Sequence, residues 1–458
     1  MNNTNIDYKL IKKYDRPGPR YTSYPTAPHF SENFDREKYE EELQKANDEK
    51  RELSLYVHLP YCDTLCYFCG CNMIVSNNRK RIHSYEEYVK REIDLLREKL
   101  NPERKVVQLH WGGGTPTHLK PDEIYDLGTH IRNSFDFADD AEVSCEIDPR
   151  GMTKEHVSAL RESGFNRVSM GVQDFNEKTQ IAVNRIQPEN ITVQVIDWAR
   201  ELGFISVNID LMYGLPFQTP ETFSETLDKI IDISPDRIAV FNYAHVPWLK
   251  KHQALIRTED LPKPEVKLEL LKLSIEKLTD AGYVFIGMDH FAKPDDELSV
   301  ALREKKLYRN FQGYSTRSGA DLHAAGITGI SQFGRIYAQN QKAEKPYYDD
   351  LEQNKLPIAK GYYLNDDDVL RRKVIMKIMC DFELDFREIE NEFGIDFEKY
   401  FAWGLQNIRE MIDDELVEIQ DKKLIVKNTG RLLIRNVAMN FDAFIEKNAD
   451  DTKYSRTV

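Results

Sequence analysis

Cys62-Asp63-Thr64-Leu65-Cys66-Tyr67-Phe68-Cys69-Gly70-Cys71 decides how the rest of the chain is read. It holds four of the six cysteines and closely follows the apolar run 53–59. Thiolates are soft ligands, and zinc and iron–sulfur clusters are what soft sulfur selects. Sulfurs spaced like those of Cys62, Cys66 and Cys69 wrap one loop around one face of a cubic cluster and leave its fourth corner open. A structural zinc site instead closes a tetrahedron with two separated ligand pairs. No second pair follows here, and Cys145 and Cys380 stand alone. A disulfide framework is disfavoured too, because residues 1–14 are polar, without a signal-peptide core, and a chain of 458 residues does not depend on staples. Iron–sulfur is the favoured reading, with zinc the alternative.

Outward from this loop, short β-rich runs alternate with helical patterns. The strands are expected at 53–59, 106–111, 141–148, 167–172, 206–212, 237–243 and 283–289, with helices at 85–100, 191–202, 220–231 and 265–280. Repeated βα units predict a parallel sheet with helices outside, whose functional face is the C-terminal ends of the strands. The motifs fall there: Cys62 follows the first strand, Gly112 the second, Glu146 and Gln173 close the third and fourth, Asp210 lies late in the fifth and Ala244 follows the sixth. Residues 1–50 read as an extended, docked arm, rich in Pro and Tyr. After about residue 365 the pattern becomes a small helical module, with a short strand at Leu424-Ile425-Val426.

The spacing Cys-x3-Cys-x2-Cys, preceded by Tyr56-Val57-His58-Leu59-Pro60 and carrying Phe68, resembles the cluster loop of the radical S-adenosylmethionine (SAM) superfamily. Cys71 narrows the resemblance to the oxygen-independent coproporphyrinogen III oxidases, or coproporphyrinogen dehydrogenases. Agreement extends through Gly18-Pro19-Arg20-Tyr21-Thr22-Ser23-Tyr24-Pro25-Thr26, His110-Trp111-Gly112-Gly113-Gly114-Thr115-Pro116-Thr117, Phe165-Asn166-Arg167-Val168-Ser169-Met170-Gly171-Val172-Gln173-Asp174, Asn310-Phe311-Gln312-Gly313-Tyr314 and Arg431-Leu432-Leu433-Ile434-Arg435-Asn436.

That resemblance implies an α/β fold: a partial (β/α)6 barrel with an N-terminal arm and a small, mainly helical C-terminal cap. The implied divisions are an arm (1–50), the barrel (51–300), a barrel extension and connection (301–365) and a winged-helix-like cap (366–458). It implies one [4Fe-4S] cluster per chain on Cys62, Cys66 and Cys69, and two SAM molecules per chain. Their contacts would be Tyr56, Phe68, Gly113, Gly114, Thr115, Glu146, Gln173, Arg185, Asp210, Ala244 and Ile330. The implied reaction converts two propionates of coproporphyrinogen III to vinyl groups, giving protoporphyrinogen IX, by hydrogen abstraction with a SAM-derived 5′-deoxyadenosyl radical. An unactivated C–H bond suits radical chemistry, so no acid–base triad is expected. Arg20, Tyr21, Tyr24, His58 and Cys71 are the candidates for substrate or lid contact.

Blander readings stand beside these. The glycine run alone reads as a tight turn, Glu146 and Asp210 as structurally hydrogen-bonded acids, and Arg20 as tied to backbone or a surface acid. His58 reads equally as a core residue and Cys71 as a thiol that binds no metal. No histidine makes a metal-binding pattern, and His58 stands out only by its position four residues before Cys62. The rival functions are a haem chaperone and a haem-opening methyltransferase on a similar barrel.

Composition bounds the partners. The formal net charge of −14, and 15 basic against 21 acidic side chains in 366–458, argue against a nucleic-acid surface. Charges interrupt every apolar run before it could span a membrane. The expectation is a cytoplasmic monomer, served by an unidentified low-potential electron donor and an unidentified acceptor.

Overall fold

Alternation of side chains organises the larger of the two compact units into which the computed structural model divides. The structure describes residues 8–447, 454, 456 and 457. The larger unit comprises Phe30–Pro262 and Gly319–Tyr363. Its central strands are β1 (Leu53–Leu59), β2 (Val106–Gly113), β3 (Phe137–Ile147), β4 (Arg167–Gln173), β5 (Ser206–Tyr213) and β6 (Arg237–Asn242). They pair in sequence order and all in parallel. Parallel neighbours need long crossovers. These are built around the helices α1 (Arg79–Lys99), α2 (Pro121–Ser134), α3 (Lys154–Glu162), α4 (Glu189–Glu201) and α5 (Pro220–Ile233).

On β5, Val207, Ile209, Leu211 and Tyr213 are buried, while Asn208, Asp210 and Met212 retain exposure on the other face. The same parity puts Val143 and Cys145 on the covered face of β3 and Ser144 and Glu146 on the opposite one. Register then aligns the polar faces: Tyr56 lies beside His110, His110 beside Ser144, Glu146 beside Ser169 and Gly171 beside Asp210. One side of the sheet is thus an apolar seat for helices, and the other a line of polar side chains.

The sheet continues past β1 through the parallel β7 (Asp321–Ala325), then antiparallel β8 (Ile330–Phe333), β9 (Ile336–Asn340) and β10 (Ile358–Tyr363). A buried ion pair holds the start of β7 against β1: Arg104 Nη2 donates to Asp321 Oδ2 (2.6 Å), and its other nitrogens donate to Arg51 O and Asn47 Oδ1. Arg51 adds a second cation to Asp321 at 2.9 Å.

The other unit gathers the described residues of Met1–His29, Lys263–Ser318 and Leu364–Val458. Its C-terminal part has helices Asp366–Asp381, Phe386–Phe393 and Ala402–Asp413 with a three-stranded sheet in which Lys423–Val426 lies between Glu383–Asp385 and Val417–Gln420. The divisions read from the sequence run consecutively, whereas both units are assembled from separated stretches. The stretch read as one strand over 283–289 is a hairpin, Val284–Gly287 against His290–Ala292. The arm read as extended contains helices Tyr8–Tyr14 and Arg36–Asp48. The second is amphipathic, burying Tyr39, Leu43 and Ala46, and is capped by the Asp35 side chain.

Arg104→Met would strand Asp321 in the interior with only Arg51 beside it. It should destabilise the protein by about 3 kcal/mol in denaturant unfolding, and Arg104→Met with Asp321→Asn should recover much of that loss.

Candidate functional site

The site grows from the close passage of β2 past β1. Gly114 N donates to Leu59 O and Thr115 N to Tyr61 O, both at 2.9 Å, so the Gly112–Thr115 turn runs directly under the cysteine loop. A Cβ on Gly114 would stand 2.3 Å from Pro60 O and 2.9 Å from Cys62 Sγ; only glycine fits. Gly113 has φ +124°, and a side chain there would strike the His58 ring at 2.8 Å. Thr115 Oγ1 donates to Cys62 Sγ at 3.4 Å.

The cysteine loop is held from three directions. His58 Nε2 donates to Asn72 O (2.9 Å), which fixes the tautomer, so Nδ1 accepts from Tyr56 OH at 3.0 Å. Burial lowers the His58 pKa, in keeping with a neutral ring. Lys250 Nζ, His252 Nε2 and Gln253 Nε2 donate to the carbonyls of Cys71, Cys69 and Phe68, while Asn184 Nδ2 donates to Leu65 O. Phe68 is buried with Cys66, Val183, Leu215, Tyr243 and Ile256, so its ring anchors the loop in a small apolar core.

All six cysteines are free thiols. Burial pushes Cys62 up to about 12, with the neighbouring sulfurs of Cys69 and Cys66 adding to the effect. The adjoining Cys71 thiol favours the thiolate on Cys69, while Cys69 and burial together raise Cys71. At Cys66 the environment is cationic. Arg150 Nη2 lies 3.5 Å and Arg185 Nη1 3.6 Å from its sulfur, and Asp148 bridges the two guanidiniums at 2.7 and 2.9 Å. A cavity of about 440 Å³ lies beside Cys62, lined also by Thr115, Thr117, Asp148 and Arg150.

Along the polar face, Glu146 accepts from Gly113 N (3.1 Å) and His110 Nε2 (3.3 Å), and His110 stacks on Tyr56. Desolvation works to raise Glu146, but His110 and the Gly113 amide outweigh it and hold the carboxyl low; its side chain remains 46% exposed. Asp210 accepts from Asn208 and Ser169, at 2.8 and 3.3 Å, and is pushed up to about 7 by burial and the Glu146 charge. Gln173 ends β4 in the left-handed region, φ +68°, beyond a register shift. Thr226 and Gln218 hold the next residue, Asp174, at 2.5 and 2.7 Å. Backbone strain of this kind concentrates at ligand sites. Gln173 Oε1, Arg185 Nε and Asn242 Oδ1 are buried without hydrogen-bond partners, as expected of groups that meet a polar ligand.

Cys62, Cys66, Cys69, Cys71, Tyr56, His58, Phe68, Gly113, Gly114, Thr115, Glu146, Gln173, Arg185, Asp210, Ala244 and Ile330 all belong to the larger unit. Ala244 is exposed just beyond β6, and Ile330 is half-buried at the start of β8. Arg20, Tyr21 and Tyr24 belong to the other unit. There Arg20 pairs with Asp289, Tyr21 OH donates to Asp442 at 2.9 Å, and Tyr24 OH accepts from Ala443 N at 3.1 Å. Both tyrosines are fully buried and pack into the apolar core of that unit. Sequence reasoning missed His110, Asp148, Arg150 and the Lys250–Gln253 segment. Strand parity with Gly112 marks His110, and position at the end of β3 marks Asp148 and Arg150.

Comparison with known proteins agrees with this architecture. The Radical SAM superfamily model matches residues 56–230, and the HemN C-terminal domain model matches 364–433. An oxygen-independent coproporphyrinogen III oxidase of Salmonella typhimurium is 48% identical over 99% of this chain and 98% of its own length. That of Pseudomonas aeruginosa is 43% identical over 99% and 98%. The solved structure of the Escherichia coli coproporphyrinogen III oxidase HemN, described as a radical SAM enzyme, superposes with a TM-score of 0.91 at 46% identity, covering 96% of this chain and 99% of that one.

Two outcomes test the geometry. Gly114→Ala should lower the stability of the ligand-free protein by about 1–3 kcal/mol through overpacking, and lower iron uptake on reconstitution. Asp210, raised in the folded state, binds its proton more tightly there than in the unfolded chain, so its contribution is complete below about pH 4 and is lost as the pH rises through 7. Asp210→Asn should therefore gain in Tm on the wild type between pH 5 and pH 8, and equal differences at both pH values would refute the assignment.

Proposed function

The chain belongs to the oxygen-independent coproporphyrinogen III oxidases of the radical SAM superfamily, and from that membership we propose how its residues divide the work. The enzyme oxidises coproporphyrinogen III in haem biosynthesis, turning two propionates into vinyl groups with loss of CO₂. The observation that carries this reading is the single rim on which three free cysteines, a glycine turn and unpartnered polar groups of the larger unit come together.

Three thiols on one loop, with guanidinium N–H groups aimed at one sulfur, suit a [4Fe-4S] cluster on Cys62, Cys66 and Cys69. The glycine turn, which a Cβ would fill, and the unpartnered Gln173, Arg185 and Asn242 atoms suit SAM. When bound, the cluster and SAM together supply the low-potential electron and the 5′-deoxyadenosyl radical that abstracts hydrogen from a propionate β-carbon.

The chain's own residues bind and orient. Thr115 donates to Cys62, and Arg150 and Arg185 donate to Cys66, which moderates the charge on those sulfurs. Gly113 and Gly114 present backbone to the amino-acid end of one SAM, with Glu146 as its polar anchor. Gln173 and Arg185 are assigned to a second SAM, with Tyr56, Phe68, Asp210, Ala244 and Ile330 completing the two contact sets. His58 is neutral and engaged at both nitrogens, which makes it a positioning residue for the cysteine loop. Cys71 supports the thiolate form of Cys69 as a neighbouring thiol and is not itself a ligand. A monomer in the cytoplasm, served by separate one-electron donor and acceptor partners, fits this reading. No helix among the described residues is long and apolar enough to cross a membrane.

The test is an anaerobic assay of reconstituted protein with SAM, reductant and coproporphyrinogen III. Protoporphyrinogen IX, CO₂ and 5′-deoxyadenosine are the expected products. Cys62→Ser, Cys66→Ser and Cys69→Ser should each abolish them. Gln173→Ala should keep its iron but bind one SAM fewer per chain in equilibrium dialysis; unchanged stoichiometry would remove the second SAM site.

A further inference from the structure

The family resemblance includes Asn310-Phe311-Gln312-Gly313-Tyr314, a stretch to which the chemistry above gives no work. In the smaller unit it forms a tight hairpin, Tyr308–Asn310 against Gly313–Ser315, with Arg309 opposite Tyr314. Gln312 N donates to Asn310 Oδ1 at 2.9 Å, and Gly313 turns the chain at φ +115°. Directly opposed strand residues share a face, and the Arg309 guanidinium carbon accordingly lies 4.8 Å from the centre of the Tyr314 ring. Tyr314 is itself fixed, its hydroxyl donating to Met379 O at 3.1 Å.

Three arginines of this unit are buried: Arg309, Arg371 and Arg435, at 3%, 9% and 6% exposure. Arg371 donates to Asp367 and Phe441 O. Arg435 donates to the carbonyls of Gly18, Pro19, Arg456 and Thr457. Arg309, the most enclosed, has neither arrangement. Its Nε and Nη1, and Gln312 Nε2 three residues on, are buried with no acceptor within hydrogen-bonding distance, and no carboxylate among the described residues pairs with its charge. A second cation is close by: Arg435 is drawn down to about 10 by burial and by repulsion from Arg20, with Asp289 and Tyr21 opposing and Arg309 adding a weaker repulsion. Asp289 is already paired with Arg20. A buried, uncompensated guanidinium with unmet donors is strongly unfavourable, and its desolvation is recovered when an anion docks on it.

We propose that Arg309 and Gln312 form a carboxylate-binding site, with Tyr314 holding the guanidinium plane, and that it takes a propionate of the kind coproporphyrinogen III carries. The guanidinium fork matches a carboxylate's two oxygens, and the Gln312 amide supplies a further donor. The identity of the ligand rests on the reaction assigned above; the anion site itself rests on the unmet donors.

The experiment titrates reconstituted wild type, Arg309→Met, Arg309→Lys and Gln312→Leu with coproporphyrin III, followed by fluorescence quenching. Etioporphyrin, the same ring without carboxylates, and sodium propionate, read by thermal shift, are the comparison probes. Arg309→Met should weaken coproporphyrin binding roughly 10- to 100-fold, with smaller losses in Arg309→Lys and Gln312→Leu. Etioporphyrin affinity, SAM binding and the cluster spectrum should not change. Coproporphyrin binding by Arg309→Met equal to wild type, or an equal loss for etioporphyrin, overturns the proposal. If wild type prefers neither porphyrin but propionate raises its Tm and not that of Arg309→Met, the anion site stands and the substrate assignment fails. Absence of any Arg309-dependent binding by coproporphyrin or propionate removes the site.

Discussion

The close approach of two backbones governs this protein's chemistry. Where β2 leaves the sheet, Gly113 and Gly114 pass within hydrogen-bonding distance of the chain entering the cysteine loop, and the bonds from Gly114 N to Leu59 O and Thr115 N to Tyr61 O extend the strand pairing beyond the strands. The contact has no room for a side chain. It sets the height of Cys62 above the sheet, brings Thr115 to its sulfur, and turns the Gly113 amide towards Glu146 on the next strand. Each of those consequences depends on this approach, in an interior that is close-packed and yields little.

Around that contact the protein separates the charge states of two acids by environment. Glu146 has an imidazole and a backbone amide donating to it, while Asp210, across the polar face, is desolvated and repelled by Glu146, against neutral donors and a weaker pull from His110. One is held low and the other raised to about 7. At the far side of the cysteine loop the balance reverses, with two guanidiniums and one carboxylate around Cys66. A polar interior so divided can bind a zwitterionic ligand in one orientation without any net charge of its own.

Much of this was legible in the chain because parallel strands announce themselves. Val207, Ile209 and Leu211 alternate with Asn208 and Asp210, and a polar residue at such a position marks the inner face. Boundaries were harder. The first crossover helix starts at Arg79, six residues before the apolar pattern suggests, because the Asn78 side chain caps it and the intervening Arg and Lys carry no periodicity. Arg20, Tyr21 and Tyr24 lie within one short stretch of sequence, yet they answer to Asp289, Asp442 and Ala443, partners hundreds of residues away that no local pattern reveals. Arg150 was hidden for a related reason: its value lies in pointing at Cys66, a fact of tertiary geometry.

The smaller unit has a temporal consequence. Arg435 fastens onto Gly18 and Pro19, Asn436 onto Tyr14, and Arg456 onto Asp15, so segments separated by more than four hundred positions close one another. The larger unit needs nothing beyond Tyr363. On a ribosome, the barrel with its cysteine loop can therefore be complete while residues 8–29 still await their counterparts. Assembly of the metal-binding half and closure of the other half become successive events, with the late-made helix Ile434–Met439 acting as the clasp.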